Sequence, residues 1–244
     1  MLSSNPELLI HIPARAGSKR VPKKNLRLIN GRPMISYAIQ AALDSGITSS
    51  VFVNTDSSEI ADFASSLGGV QVYFRDPDLA NDEATGDQFT ADIISNLHPK
   101  VLMMVSPVCP LVTPQIISDC YNAFSTENNI DTLITCNETR MQVACNKGFI
   151  NVNPELPMPP SQFNSRVQIC NWAVAIWECS SFLTRYENSN GAYLGLNRIL
   201  FPIPQLNSFK VSYEDDFQVI QSIMSSSQAN SKQIDPIYWS RSSF

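Results

Sequence analysis

Long apolar runs are missing from this chain of 244 residues. No stretch approaches the ~20 apolar residues that a membrane helix needs, so no membrane partner is expected. The opening MLSSNPELLIHIPAR has no basic stretch ahead of its short apolar run, so no signal peptide is expected and Leu8 to Pro13 reads as a strand. Six cysteines (109, 120, 136, 145, 170 and 179) form no C-x-x-C pair. Most sit in apolar runs, which argues for reduced, buried thiols and a cytoplasmic setting. Histidine is scarce, with only His11 and His98 far apart in sequence, so no zinc site is expected. Neither G-x-x-x-x-G-K-[ST] nor G-x-G-x-x-G occurs, which removes the two commonest phosphate-loop motifs. Basic residues are outnumbered 17 to 22, with a net charge of -5 and a pI near 5.0, so no nucleic-acid partner is expected. There is no internal repeat.

Hydrophobic residues make up 43% of the chain, enough for one sizeable core or a core with a smaller insertion. Strands are expected at Leu8 to Pro13, Val51 to Asn54, Val70 to Phe74, Val101 to Val105 and Thr132 to Cys136. Between them lie helices opened by Pro33, by Asp56 as an N-cap with Glu59 three residues on, by Gly86 and by Pro114. This alternation predicts an α/β fold with a doubly wound, mainly parallel sheet. The pattern weakens from Glu138 to about Pro204, where NVNPELPMPPSQF is loop-like and Gln168 to Trp177 strand-like. That stretch is expected to pack outside the main sheet. The chain thus divides into a core (1–137), an excursion (138–204) and a return to the core with a C-terminal helix (205–244). The helix is expected from Glu214 to about Met224, followed by a mobile Ser-rich tail from Ser225 that Ile237-Tyr238-Trp239 tacks back.

Charge is unevenly placed. Between Leu8 and Leu43 lie Arg15, Lys19, Arg20, Lys23, Lys24, Arg27 and Arg32, and no acid. An acidic protein that concentrates cations in one segment wants an anion there, although a solvated basic face is the plainer alternative. The segment Ala14 to Asn25 follows the first strand, at the sheet edge where open α/β folds bind ligands. Gly17 and Ser18 offer backbone N–H groups for a phosphate nest, Arg15 a bidentate fork, and Lys19 and Lys24 point charges. Read from composition, this is a polyphosphate loop.

IPARAGSKRVPKKNL followed by NGRPMISYAI resembles the N-terminal signature of the acylneuraminate cytidylyltransferases and, more distantly, the CMP-Kdo synthetases. The resemblance continues through VFVNTDSSEIADFA and FRDPDLANDEAT, covers about the first 125 residues, and returns faintly in YEDDFQVIQ. It implies a nucleotide-diphospho-sugar transferase (Rossmann-like) fold with a small dimerising excursion, and a homodimer. It also implies transfer of CMP from CTP to the anomeric hydroxyl of a 2-keto sugar acid, with Mg²⁺ and release of pyrophosphate. Carried over, Arg15, Lys19 and Lys24 are the catalytic residues. Ala14, Gly17, Ser18, Asn25, Arg75, Asn81, Asp82 and Thr85 join Arg15 and Lys24 as nucleotide contacts, with Asn81, Asp82 and Thr85 by the nucleotide or the sugar. Lys23, Arg27 and Arg32 are expected to be solvated. Asp56 reads equally as a helix cap or a ligand, and Asp82 and Asp87 equally as ligands or surface acids.

Three departures qualify the resemblance. The family's Q-P-T-S-P-L-R segment is here Ser106-Pro107-Val108-Cys109-Pro110-Leu111-Val112, with Ser106 left on the sugar side. Its N-G-A-I-Y run is here Asn171-Trp172-Ala173-Val174-Ala175, with Asn171 toward the sugar and an indole where a glycine leaves space. Lys210 and Ser212 hold the positions of the aspartate pair that helps bind Mg²⁺, leaving Asp216 as the metal candidate. Either other oxygens hold the ion, with Lys210 supplying part of its charge, or the chain is a catalytically impaired nucleotide- or sugar-binding relative. A structural protein with no ligand would leave the basic loop idle.

Overall fold

The computed structural model describes residues 6–189 and 191–229. The run Leu8–Pro13 forms β1, whose alternating side chains are buried on both faces of a sheet. A hairpin of β2 (Leu28–Ile29) and β3 (Arg32–Pro33) follows, turning at Asn30-Gly31 with both residues at positive φ. Then come α1 (Ile35–Asp44), β4 (Val51–Thr55), α2 (Ser58–Leu67), β5 (Gln71–Phe74), α3 (Gly86–Leu97), β6 (Val101–Val105), α4 (Pro114–Thr126) and β7 (Thr132–Thr139). A small hairpin, β8 (Ala144–Cys145) with β9 (Gly148–Phe149), leads to β10 (Val167–Glu178), α5 (Cys179–Ser189), β11 (Arg198–Pro202) and α6 (Glu214–Ala229).

The main sheet has seven strands in the order β11-β7-β10-β6-β1-β4-β5. All its pairings are parallel except those of β10, which runs antiparallel to both β6 and β7. Leu8, Ile10 and Ile12 of β1 face one core cluster with α1, α2 and α4. Leu9 faces the opposite cluster with α3 and α5. A sheet buried by helices on both faces accounts for the near-continuous apolar strands. The mainly parallel, doubly wound class expected from the alternation is the one observed.

Several local expectations need correction. The stretch 138–204 does not pack wholly outside the sheet: β10 fills the gap between β6 and β7, and β11 extends the far edge. Burial explains the difference, because Ala173 to Trp177 are fully buried and an apolar run of this kind needs a partner on each side. The N-cap of α2 is Ser57, whose Oγ accepts from Ile60 N at 3.3 Å, not Asp56. Helix α6 runs on through the serines to Ala229, where Ser222 and Ser226 return their hydroxyls to the carbonyls of Gln218 and Ser222. The expected tail contact by Ile237-Tyr238-Trp239 lies outside the described residues.

Candidate active site

The loop after β1 lines a cleft of about 360 Å³ together with Asp82, Pro107 and Val108. Arg15, Gly17, Ser18, Lys19, Lys24 and Asn25 all border it, and Arg20 joins them. Arg15 is fixed by its Nη1, which donates to the carbonyls of Ala80 (3.3 Å) and Asn81 (2.9 Å), and by Nη2 on Asp82 at 3.1 Å. Asp82 also pairs with Lys19, and chiefly this Lys19 hydrogen bond holds its carboxyl below the usual range. Lys24 Nζ donates to Val211 O at 3.0 Å. Burial, then the charges of Arg20, Lys210 and Arg15, depress the Lys24 ammonium, with only Asp216 opposing. A cation held at such a cost is stabilised when an anion enters.

The loop is anchored from several sides. Asp56 Oδ1 accepts from Ala16 N at 2.8 Å, so this aspartate pins the loop and does not cap a helix. Buried Asn25 donates to Arg15 O at 3.4 Å. Arg27, expected to be solvated, forks onto Glu214 (2.5 and 2.6 Å) with its guanidinium 4.1 Å from the Phe217 ring. Lys23 and Arg32 are exposed, as expected of solvated cations, with Lys23 on Glu59 and Arg32 over Tyr37 at the surface. Ser18 N turns inward to Ala16 O (2.9 Å), so the two-amide nest expected from Gly17 and Ser18 is not formed in this state. Ser57→Ala is expected to cost about 1 kcal/mol of stability, as a lost N-cap does. Asp56→Ala is expected to raise the Kd for a polyphosphate anion in the cleft about tenfold, as loss of a charge-assisted bond does, with little change in melting. Chemical denaturation and tripolyphosphate titration of the two variants separate these effects.

The remaining expected residues are not among those that line the cleft and hold other roles. Ala14 is buried, with its N–H on Asn54 O at 2.9 Å. Arg75 is 6% exposed, bonded to Asn54 Oδ1 (2.7 Å) and Asn54 O (3.2 Å) and stacked on Phe89. Burial lowers it to about 10 against the pull of Asp56 and Asp92. His11 is fully buried and pushed down to about 3, first by burial and then by the Arg75 charge, so it is neutral at ordinary pH. Asn81 Oδ1 accepts from Glu83 N and Ala84 N, closing a turn, and Thr85 caps α3 in a capping box with Gln88. Asp87, left open between ligand and surface acid, accepts from Ala192 N (2.6 Å) and Tyr193 N (2.8 Å). Ser106 is buried beside the cleft wall, its N–H on Ala173 O. Asn171 sits in the β-bulge of β10, its Oδ1 accepting from Thr135 Oγ1 and Ala173 N. Trp172 in that bulge has φ 60°, a left-handed backbone that favours glycine, and packs 5.0 Å from the Tyr193 ring.

The residues do not assemble the expected magnesium set. Asp216 Oδ2 accepts from Ser212 N and Tyr213 N, both at 2.8 Å, and Glu214 is held by Arg27. No group of three His, Cys, Asp or Glu suited to a metal occurs among the described residues. Arg20 and Asn54 are not singled out as contacts from sequence, and Lys210 is singled out there only for its charge at a metal-ligand position. Arg20 was visible as one of the clustered cations, and Asn54 as the polar end of an apolar strand. Lys210 gave no signal of its nearness to Lys24, which arises only on folding.

Comparison with known proteins agrees with this geometry. A family model described as cytidylyltransferase matches residues 9–147, more than half of the chain. A CMP-N,N'-diacetyllegionaminic acid synthase from Legionella pneumophila is 36% identical over 115 residues, covering 45% of this chain and 50% of that protein. A pseudaminic acid cytidylyltransferase from Campylobacter jejuni is 35% identical over 118 residues, covering 46% and 51%. The matches thus span about half the length of these curated relatives. A solved CMP:2-keto-3-deoxy-manno-octonic acid synthetase complexed with CTP has a TM-score of 0.70 at 16% identity, covering 91% of this chain and 99% of that one, a likeness of fold. Among the described residues no helix is long and apolar enough to cross a membrane. The matched segment holds β1, the cationic loop and the Asp82 wall of the cleft, and the chain belongs to the cytidylyltransferase family.

Proposed function

We propose that this chain transfers CMP from CTP to the anomeric hydroxyl of a 2-keto sugar acid of the nonulosonic class, releasing pyrophosphate. The observation that carries this reading is the convergence of Arg15, Lys19, Arg20 and Lys24 on one cleft at the carboxyl end of β1. The sugar hydroxyl would attack the α-phosphorus in line. Fixed cations would then stabilise the charge that develops on the departing pyrophosphate. The relatives named for legionaminic and pseudaminic acids support the substrate class. Among the described residues the one carboxylate that lines the cleft is Asp82, already paired with Arg15 and Lys19.

The second reading, a catalytically impaired binding relative, draws on the same Lys210 and Ser212 substitution. Pyrophosphate release from CTP across a panel of nonulosonic and octulosonic acids decides between them. Release with at least one acid supports transfer. Thermal stabilisation by CTP without release from any acid supports the second reading.

Within this proposal Trp172 walls the sugar end, since Ala173, next in sequence, bonds the Ser106 edge of the cleft. Trp172→Gly suits the left-handed backbone and removes the indole. The ratio of kcat/KM between two acids differing in side-chain bulk is expected to change about tenfold. An unchanged ratio would place the indole away from the sugar.

We also propose a homodimer in the cytoplasm. The arm between β7 and β10 leaves Met141, Phe149, Ile150, Leu156, Met158 and Phe163 exposed, an apolar surface suited to a second copy. Light scattering of the purified chain tests the dimer.

A further inference from the structure

We infer that the cleft takes its nucleoside triphosphate without a protein-held divalent cation, the Lys210 ammonium supplying the positive charge that a metal would bring. This rests on the reading of the cleft as a triphosphate site. Three observations carry it.

The first is placement. Residues 210–212 are fastened to the cleft wall: Val211 N donates to Val108 O at 2.9 Å, and Val211 O accepts from Lys24 Nζ at 3.0 Å. The Val211 side chain is fully buried against Ile29, Met34 and Phe217, so this stretch is fixed by packing. Lys210 is exposed, one residue before the carbonyl that Lys24 grips. Its charge reaches both the Lys24 ammonium and the Cys109 thiol behind the wall.

The second is the state of the carboxylates. Asp82 is paired with Arg15 and Lys19, and Glu214 with Arg27. Asp56 holds Ala16 N, and Asp216 holds two backbone N–H groups through one oxygen. Magnesium demands hard oxygen ligands in near-octahedral array, and an ammonium cannot be one. Recruiting Asp56 or Asp82 to a metal would strip the loop of contacts that shape it.

The third is the charge balance. Arg15, Lys19, Arg20 and Lys24 line the cleft, Lys210 stands next to the Val211 that Lys24 grips, and Asp82, the one acidic residue of the described lining, is already paired. A triphosphate's negative charge can be offset by such a set directly. A divalent ion beside Lys210 would meet like charge.

The test is calorimetric titration of the full chain with CTP and with inorganic tripolyphosphate, each in EDTA and in Mg²⁺. Expected is a wild-type Kd in EDTA within about threefold of the Mg²⁺ value, because direct ion pairing needs no bridging metal. Lys210→Ala, an exposed substitution, is expected to keep its melting temperature. In EDTA it should weaken binding about tenfold or more, as loss of a charged contact does. The double variant K210D/S212D is expected to bind only when Mg²⁺ is present. Wild-type binding that vanishes in EDTA and returns with Mg²⁺ overturns the inference and leaves the nucleotide reading intact. A Lys210→Ala protein that binds like wild type in EDTA also overturns it. Tripolyphosphate binding in EDTA that falls in Lys210→Ala supports the inference even if CTP itself does not bind. If neither ligand binds under any condition, both readings fail.

Discussion

Replacing Arg15 with alanine is expected to lower kcat/KM for CMP transfer by about 100- to 1000-fold, the loss seen when one preorganised charge contact is taken from a reaction centre. The side chain is held before any ligand arrives, by two carbonyls from residues 80 and 81 and by Asp82. Its planar fork therefore meets a phosphate without first paying to order itself. Arg15→Lys keeps the charge but loses the fork, and should fall between wild type and alanine. Because Arg15 is half-exposed and outside the core clusters, the melting temperature of both variants should stay near wild type. Steady-state kinetics with CTP and the acceptor acid, alongside thermal melting, check this. A kcat/KM for Arg15→Ala within a few-fold of wild type would remove Arg15 from the site. A large loss with collapsed melting would recast it as structural.

That Arg15 was visible beforehand follows from how local the signal is. The strand, the loop after it and the gathered cations lie within consecutive residues, so the sheet edge and the charge can be read together. Pairings across long separations could not be read this way. Arg27 and Arg32 look alike in sequence, yet Arg27 meets Glu214 and Phe217 only because α6 docks on the β2–β3 hairpin. The place of β10 in the sheet was hidden for a related reason. Its pairing partners β6 and β7 precede it, and an antiparallel strand inserted between them leaves no periodic mark distinguishing it from an outlying strand. The step from Asp56 to Ser57 as the cap is one residue, within the reach of two adjacent capping types. It changes function, because the residue freed from capping holds Ala16 N. Trp172 was read as filling a glycine's space, and the structure adds that it keeps a glycine's backbone. A non-glycine residue in that conformation persists where the surroundings fix it, here Tyr193 against one face and the bulge bonds of Asn171.

Asp131 supplies the largest expected stability effect, and it holds the turn that carries Tyr193 against Trp172. Its carboxylate is 10% exposed and pairs at 3.0 Å with Arg185, itself 13% exposed. It also accepts from Leu196 N (3.2 Å), Asn197 N (3.1 Å) and Thr132 Oγ1 (2.8 Å). At the same turn Gly195 has φ 66°, and a Cβ there would lie 2.1 Å from Thr132 Oγ1, so backbone and carboxylate fit only together. This turn carries Tyr193, whose ring packs on both Trp172 and Trp177. Asp131→Ala leaves Arg185 buried without its anion and three donors unmatched, a loss of about 3–5 kcal/mol. Burial alone would raise the Asp131 pKa. The N–H groups of Asn197 and Leu196, the Thr132 hydroxyl and the Arg185 charge outweigh it and hold the carboxyl below its ordinary range. A group depressed in the folded state stabilises it above its unfolded pKa of about 3.9, and that stability is lost as pH falls through the folded value. The gap between wild type and Asp131→Ala in urea unfolding should therefore be full near neutral pH and narrow only in strong acid. A gap that already closes between roughly pH 7 and pH 5, where even an unshifted carboxylate stays ionised, would show that the turn is not held by an ionised Asp131. The Tyr193 ring against Trp172 and Trp177 would then need another anchor.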